Sequence, residues 1–246
     1  MLGAFDDDHP TLGITEIALR TGMDKSAAQR FSNTLHHLGY LEKDAATRRY
    51  RPARRLMELA YIYLRHSTLA SIAMPRLIKA ADAYQTTVNM AEREDTDIIY
   101  TIRIPHQKAR YVATVPGRRA PMYCTSSGLA ILSRLSDDQV RDIFERSKLI
   151  QFTPNTIATI DEVMRAVERA RKQGVATTTG QLLPREISVS APIVNHRGRP
   201  VGAVQIPVYT PMWSLAEARK KLAPLAIETA DAISGALLAS HSETEG

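Results

Sequence analysis

"ITEIALRTGMDKSAAQRFSNTLHHLGYLEKDAATRRYRPARR", residues 14–55, decides how the rest of the chain is read. From Thr15 to Arg20 the apolar Ile17, Ala18 and Leu19 suit a short helix, and Gly22 breaks it. Asp24 is placed to cap a second helix reaching Leu38, because its carboxylate can accept from first-turn N–H groups. Ala27, Ala28, Phe31, Leu35 and Leu38 recur at three- and four-residue spacing, so this helix is expected to bury Ala27, Phe31 and Leu35. Gly39 suits the position after a helix, where positive φ is needed. "YLEKD" and "RRYRP", joined by the turn-prone "DAAT", predict a hairpin. Two helices across a Gly-containing turn, followed by a basic hairpin, are the plan of a winged helix-turn-helix.

Charge points the same way. Residues 20–55 hold nine Lys/Arg and three acids, an excess equal to the +6 formal net charge of all 246 residues. The second helix is expected to turn Lys25, Ser26, Gln29, Arg30 and Asn33 outward, groups able to reach phosphates and base edges in a major groove. Lys43, Arg48, Arg49 and Arg51 of the hairpin are expected to contact phosphates, which position a protein rather than specify sequence. The competing reading is a small lobe with a solvated basic face. The hairpin and the concentrated charge together favour double-stranded DNA as partner.

Outward from this unit, Pro52 closes the hairpin and "ARRLMELAYIYLRHST" begins a new helix with Leu56, Leu59, Ala60, Tyr63 and Leu64 on one side. It continues into "LASIAMPRLIKAADAYQ", with interruptions expected around Ser67 and Pro75. The organisation expected is a DNA-binding domain over 1–53, a linker helix over 54–70 and a second domain over 71–246. In that domain "TTVNMAERE", "DIIYTIRI" and "ARYVATV" read as strands, and "SSGLAILSRL", "SDDQVRDIFERS" and "TIDEVMRAVERARKQG" as helices. "ISVSAPIVN" and "PVGAVQIPV" flank the turn "HRGR" as a hairpin, and a last helix runs from about Ser214 to Ser240. Hairpins with interspersed helices make the fold class α+β.

Several classes of function are disfavoured. No apolar run reaches the roughly 18–20 residues of a membrane span, and the N-terminus lacks a secretory pattern, so the chain reads as cytoplasmic. One cysteine, Cys124, excludes an internal disulfide and a cysteine zinc cluster. The seven histidines show no metal-ligand spacing, and no G-x-S-x-G, P-loop or G-x-G-x-x-G occurs. Neither catalysis nor a metal nor another cofactor is expected.

The stretch "TEIALRTGMDKSAAQRFSNTLHHLGYLEKD" with "RRYR", then "VPGRRAPMYCTSSGLAILSRLSDDQ", "FTPNTI", "RARKQGV" and "SVSAPIVNHRGRPVGAVQI", resembles the isocitrate lyase regulator (IclR) family over nearly the whole chain. The resemblance implies a transcription regulator with a GAF-like effector domain, binding a palindromic operator as a homodimer or a tetramer of two dimers. In that family a complete helix precedes the segment matching "ITEIALRTG". Here "MLGAF" is too short for it, and a natural start upstream of Met1 is expected.

The resemblance also places the effector site at Ser126, Ser127, Gly128, Thr178, Ser188 and Gln205. "TSSG" offers small polar groups to a carboxylate, with capping of the helix from Ser126 or Ser127 as the structural alternative. "TTTGQLLP" replaces an acidic run found in relatives that bind small oxo-acids. Met122, Tyr123, Leu182, Leu183, Met212 and Trp213 lie near these positions and are expected to form an apolar wall, which suits an aromatic carboxylate. Arg103, Arg118, Arg119 and Arg185 are candidates to neutralise its charge. The function expected is a ligand-responsive regulator of a catabolic operon; the alternatives are a small-molecule sensor without DNA binding, or an enzyme on a GAF-like frame.

Overall fold

A computed structural model describes residues 1–106 and 115–242, which divide into two compact units, Met1–His66 and Ser67–Gly246. The proposed strand "ARYVATV" falls almost wholly outside the described residues.

In the first unit, helices α1 (Ile14–Thr21) and α2 (Lys25–His37) meet across Gly22, whose φ of 69° is the left-handed conformation that glycine adopts at little cost. Asp24 caps α2 by accepting from Ala27 N at 2.8 Å. Strands β1 (Leu41–Lys43) and β2 (Tyr50–Pro52) pair antiparallel, and Leu12 bridges to Tyr50. The small core holds Ala4, Leu12, Ile17, Ala28, Leu41 and Tyr50.

One expectation fails here. Phe31 is 53% exposed and Ala27 only half-buried; Ala28 and Ser32 are the buried residues of α2, with Leu35 partly buried beside them. The helix is turned by about one residue, roughly 100°, from the face read off the apolar spacing. The physical reason is space: small side chains at 28 and 32 fit beside α1, where a phenyl ring does not.

Helix α3 (Leu56–His66) buries none of its residues within the chain, and Ser67 then caps α4 (Thr68–Tyr84) through Ala70 N. The 54–70 segment is therefore two helices with a break at Ser67. Pro75 sits inside α4 without ending it, and Arg76 donates to the Ile72 carbonyl at 2.7 Å.

The second unit is a six-stranded antiparallel sheet in the order β5-β4-β3-β8-β7-β6. Its strands are β3 (Val88–Glu94), β4 (Asp97–Ile104), β5 (Arg119–Pro121), β6 (Ala176–Thr179), β7 (Glu186–Val194) and β8 (Pro200–Tyr209). Helices α5 (Ser126–Leu132), α6 (Asp137–Arg146) and α7 (Ile160–Gln173) share a buried core with Ala91, Ile98, Tyr100, Ala176 and Ala203. Helix α4 packs on β3 and β4, and α8 (Leu215–Ser242) on β7 and β8. Helix α8 is long and apolar enough to cross a membrane, but Leu222, Leu225, Ala226, Ala230 and Ile233 are buried within the unit. The α+β sheet with helices over it is the architecture expected.

Candidate functional site

The exposed face of the first unit is built by α2 and the hairpin. Of the nine basic residues in 20–55, four are paired: Arg20 with Asp6, Arg49 with Glu16, Arg51 with Glu42 and Arg55 with Glu58. Lys25, Arg30, Arg48 and Arg54 are exposed and have no ion pair among the described residues, while Lys43 lies 5.2 Å over the Tyr50 ring. Ser26 is exposed beside Lys25. Arg48 stands at the hairpin turn with φ 56°, a left-handed conformation held by its own N–H donating to Asp44 O at 2.9 Å.

Arg49 does something else. It donates to Thr11 O at 2.7 Å and pairs with Glu16, whose carboxylate also accepts from Gly13 N. These bonds hold the Glu16 carboxyl below its ordinary value, the Gly13 N–H first and the Arg49 guanidinium second. Arg49 fastens the hairpin to α1.

Gln29 and Asn33 are also fixed from beneath. The buried Tyr50 hydroxyl donates to Asn33 Oδ1 at 2.9 Å, and Gln29 Nε2 donates to the same oxygen at 2.8 Å. These two amides are thereby locked to the hairpin.

In the second unit, Thr125 rather than Ser126 or Ser127 caps α5: its hydroxyl accepts from Gly128 N at 3.1 Å and donates to Pro121 O at 2.8 Å. Both serines are thereby released to reach across to β7, where Ser190 Oγ lies 2.7 Å from Ser126 Oγ and 3.3 Å from Ser127 Oγ. Ser127 is also hydrogen-bonded to the buried Tyr100 phenol, whose pKa burial pushes up.

Strand register then sets a polar row. Arg103, Asn89, Gln205 and Ser190 stand directly opposite one another across β4, β3, β8 and β7, so their side chains share one face. Asn89 Nδ2 donates to Gln205 Oε1 at 2.8 Å, Gln205 Nε2 to Ser188 Oγ at 2.9 Å, and Ser188 Oγ to Glu186 Oε1 at 2.7 Å. All four are buried, and Thr178 stands opposite Ser188. Asn89 Oδ1 and Glu186 Oε2 have no hydrogen-bond partner among the described residues. Desolvation raises the Glu186 pKa against the smaller opposing effects of Ser188 and Arg118.

Of the residues expected in the apolar wall, Met122, Tyr123 and Leu182 belong to one apolar cluster of the second unit. Met122 is fully buried in the core. Tyr123 packs edge-on against Phe144 and hydrogen-bonds both the N–H and the carbonyl of Ile150. Leu182 packs on the same core, and Met212 is 76% exposed. A Cβ on Gly128 would sit 2.2 Å from Met122 Cα, so this glycine serves the close approach of α5 to the preceding strand connection. Arg119 is paired with Asp97 and Arg185 bonds Tyr209, leaving Arg103 and Arg118 near the polar row. Asn89, Ser190, Tyr100 and Glu186 were not legible as site residues. Burial pushes the Cys124 thiol up to about 12, the chemistry of a core residue rather than a thiolate nucleophile. Among the described residues no group of His, Cys, Asp and Glu could hold a metal.

Comparison with known proteins agrees with this architecture. Residues 61–235 match the family model described as bacterial transcriptional regulator IclR C-terminal, and residues 1–45 match the IclR helix-turn-helix domain. The Pca regulon regulatory protein of Pseudomonas putida is 27% identical over 226 residues, spanning 92% of this chain and 77% of that protein. The p-hydroxybenzoate hydroxylase transcriptional activator of Acinetobacter baylyi is 25% identical over 209 residues, spanning 83% and 76%. An IclR homologue crystallised with 4-hydroxybenzoate, from Microbacterium hydrocarbonoxydans, shares the fold with a TM-score of 0.74 at 21% identity, over 97% of this chain and 96% of that one. On the match across both units, the chain belongs to the IclR family of bacterial transcriptional regulators.

Proposed function

We propose that this regulator reads a palindromic operator as a homodimer, or as a tetramer of two dimers, and responds to a small aromatic carboxylate. The observation that carries the effector half is the buried polar row with two unpartnered oxygens beside Ser126, Ser127 and Ser190. A packed interior keeps such groups only where something compensates them, and a polar ligand does so. The aromatic class follows from the p-hydroxybenzoate hydroxylase activator and the 4-hydroxybenzoate-bound homologue.

On the DNA side, Arg30, Gln29 and Asn33 face base edges, and Lys25, Ser26, Lys43 and Arg48 face phosphates. Arg49 and Arg51, engaged by Glu16 and Glu42, shape the hairpin and contact phosphate from their exposed edges. Subunits join through α3, which has no fully buried residue and exposes Met57, Leu59, Tyr61, Ile62 and Tyr63. The effector acts by favouring one arrangement of subunits, which resets the spacing of the paired recognition helices.

A gel shift with the DNA flanking its own gene, at two salt concentrations and with or without aromatic acids, tests this. Specific, salt-sensitive binding that one acid alters supports the reading. Binding indifferent to every acid removes the aromatic effector, and acid binding without any DNA binding favours a sensor that does not grip DNA.

A further inference from the structure

We propose that Glu186 is the specificity-determining residue of the effector site, where its unpartnered carboxyl oxygen reads a hydroxyl on the effector. The inference rests on the effector site proposed above and assigns it a substrate class, hydroxylated aromatic acids.

The argument begins with hydrogen-bond supply. The row from Asn89 through Gln205 and Ser188 to Glu186 runs donor to acceptor in one direction, so each intervening group is satisfied. What it leaves over at both ends is an oxygen. A carboxylate brings only acceptors to such a site, whereas a hydroxyl brings a donor and an acceptor together. A hydroxyl therefore satisfies Glu186 Oε2 in either protonation state: it accepts from the carboxylic acid and donates to the carboxylate.

Placement is consistent with one ring. Glu186, Ser188 and Ser190 alternate on one face of β7, and Ser190 meets Ser126 and Ser127. The four-residue step from Ser190 to Glu186 spans about 13 Å. That length takes one aromatic ring with a polar group at each end and a hydrogen bond beyond each. The serine end, with three hydroxyls, receives the carboxylate; the Glu186 end receives the hydroxyl. Ser188, by donating to Oε1, fixes which carboxyl oxygen faces the ligand.

A buried group built to bond a hydroxyl discriminates strongly against a ligand without it, because its own polar atom is then stranded. The test is calorimetric titration of the full chain with benzoate and 4-hydroxybenzoate, and with cyclohexanecarboxylate and its 4-hydroxy derivative. Wild-type protein is expected to prefer the hydroxylated member of a pair at least tenfold. Glu186→Leu should bring that ratio close to one while benzoate affinity holds or rises, and Glu186→Gln, which keeps a donor and an acceptor, should retain part of it. A folded Glu186→Leu with an unchanged ratio overturns the proposal. If that variant does not fold, Ser188→Ala replaces it: the ratio should fall, and an unchanged ratio again overturns the assignment. Acids that bind wild type without discrimination refute the role of Glu186 and leave the effector reading intact. A preference confined to the cyclohexane pair keeps Glu186 and removes the aromatic class, and no binding by any acid removes both.

Discussion

Two pairs of amides occupy opposite environments in this molecule. Gln29 and Asn33 are joined at the surface of α2, and Asn89 and Gln205 are joined in the interior of the sheet. Each pair is held by a hydroxyl, Tyr50 in the first case and Ser188 in the second. On α2, Asn33 is exposed and Gln29 partly so, and their remaining hydrogen-bonding groups can meet water until a partner arrives. In the sheet the leftover Asn89 Oδ1 is sealed from solvent. The same chemistry is thus cheap to keep waiting at the surface and costly inside, which is why the buried row points to a ligand more strongly than the surface pair does.

Substitutions can break this comparison. The largest effect is expected at Gly128→Ala, where the new methyl meets the Met122 backbone at 2.2 Å and forces α5 away from the connection that follows β5. Overpacking of this kind costs about 3 kcal/mol. Urea denaturation should show the loss in the second unit, together with weakened acid binding; an unchanged midpoint would show that α5 shifts freely. Arg30→Ala comes next. It removes an exposed cation of α2 with no ion pair among the described residues; if Arg30 reads a base as proposed, loss of a bidentate contact should lower operator affinity by about 1–3 kcal/mol. Quantitative gel shifts check this, with Arg49→Ala as the contrast: it should reduce thermal stability of the first unit through its lost bonds to Thr11 and Glu16.

A pH comparison sharpens the interior half. Glu186 has its folded pKa raised above the unfolded value, so between those two values the native state binds more protons than the unfolded chain. Stability contributed by this group is present at low pH and declines as pH rises from the ordinary glutamate value toward the folded one. Glu186→Gln should flatten that decline in urea titrations at a series of pH values, and an unaltered pH profile would assign the slope elsewhere. The smallest effect is expected for Tyr50→Phe, about 1 kcal/mol of stability for the lost hydrogen bond. Operator discrimination should relax with it, as measured by competition with single-base variants.

How much of this was legible in the sequence divides along similar lines. The cap at Asp24, the glycines after α1 and α2 and the hairpin are local features, and local residue types dictate them. The rotation of α2 was not, because apolar spacing favours Phe31 while the packed unit needs the small Ala28 and Ser32. Ser126, Ser127, Ser188 and Gln205 came from family resemblance; Ser190 bonds both Ser126 and Ser127, Gln205 bonds Ser188, and strand register sets Ser190 opposite Gln205. Asn89 was invisible, since only the strand register across β3 and β8 makes it a neighbour of those residues; Glu186 was missed because it stands just before the apolar run at Ile187, although it shares a face of β7 with Ser188. Tyr123 was named from its nearness in sequence to Ser126, and its hydroxyl bond to Ile150 was not legible there.

The Tyr50 anchor has a thermodynamic consequence. Surface amides usually lose rotamer freedom when they engage DNA, at about 0.5–1.5 kcal/mol for each side chain immobilised. Gln29 and Asn33 have surrendered that freedom on folding, because Tyr50 and their mutual hydrogen bond already orient them. Their contribution to operator binding should therefore carry a smaller entropic penalty than that of the exposed Lys25 or Arg30, which have no ion pair among the described residues.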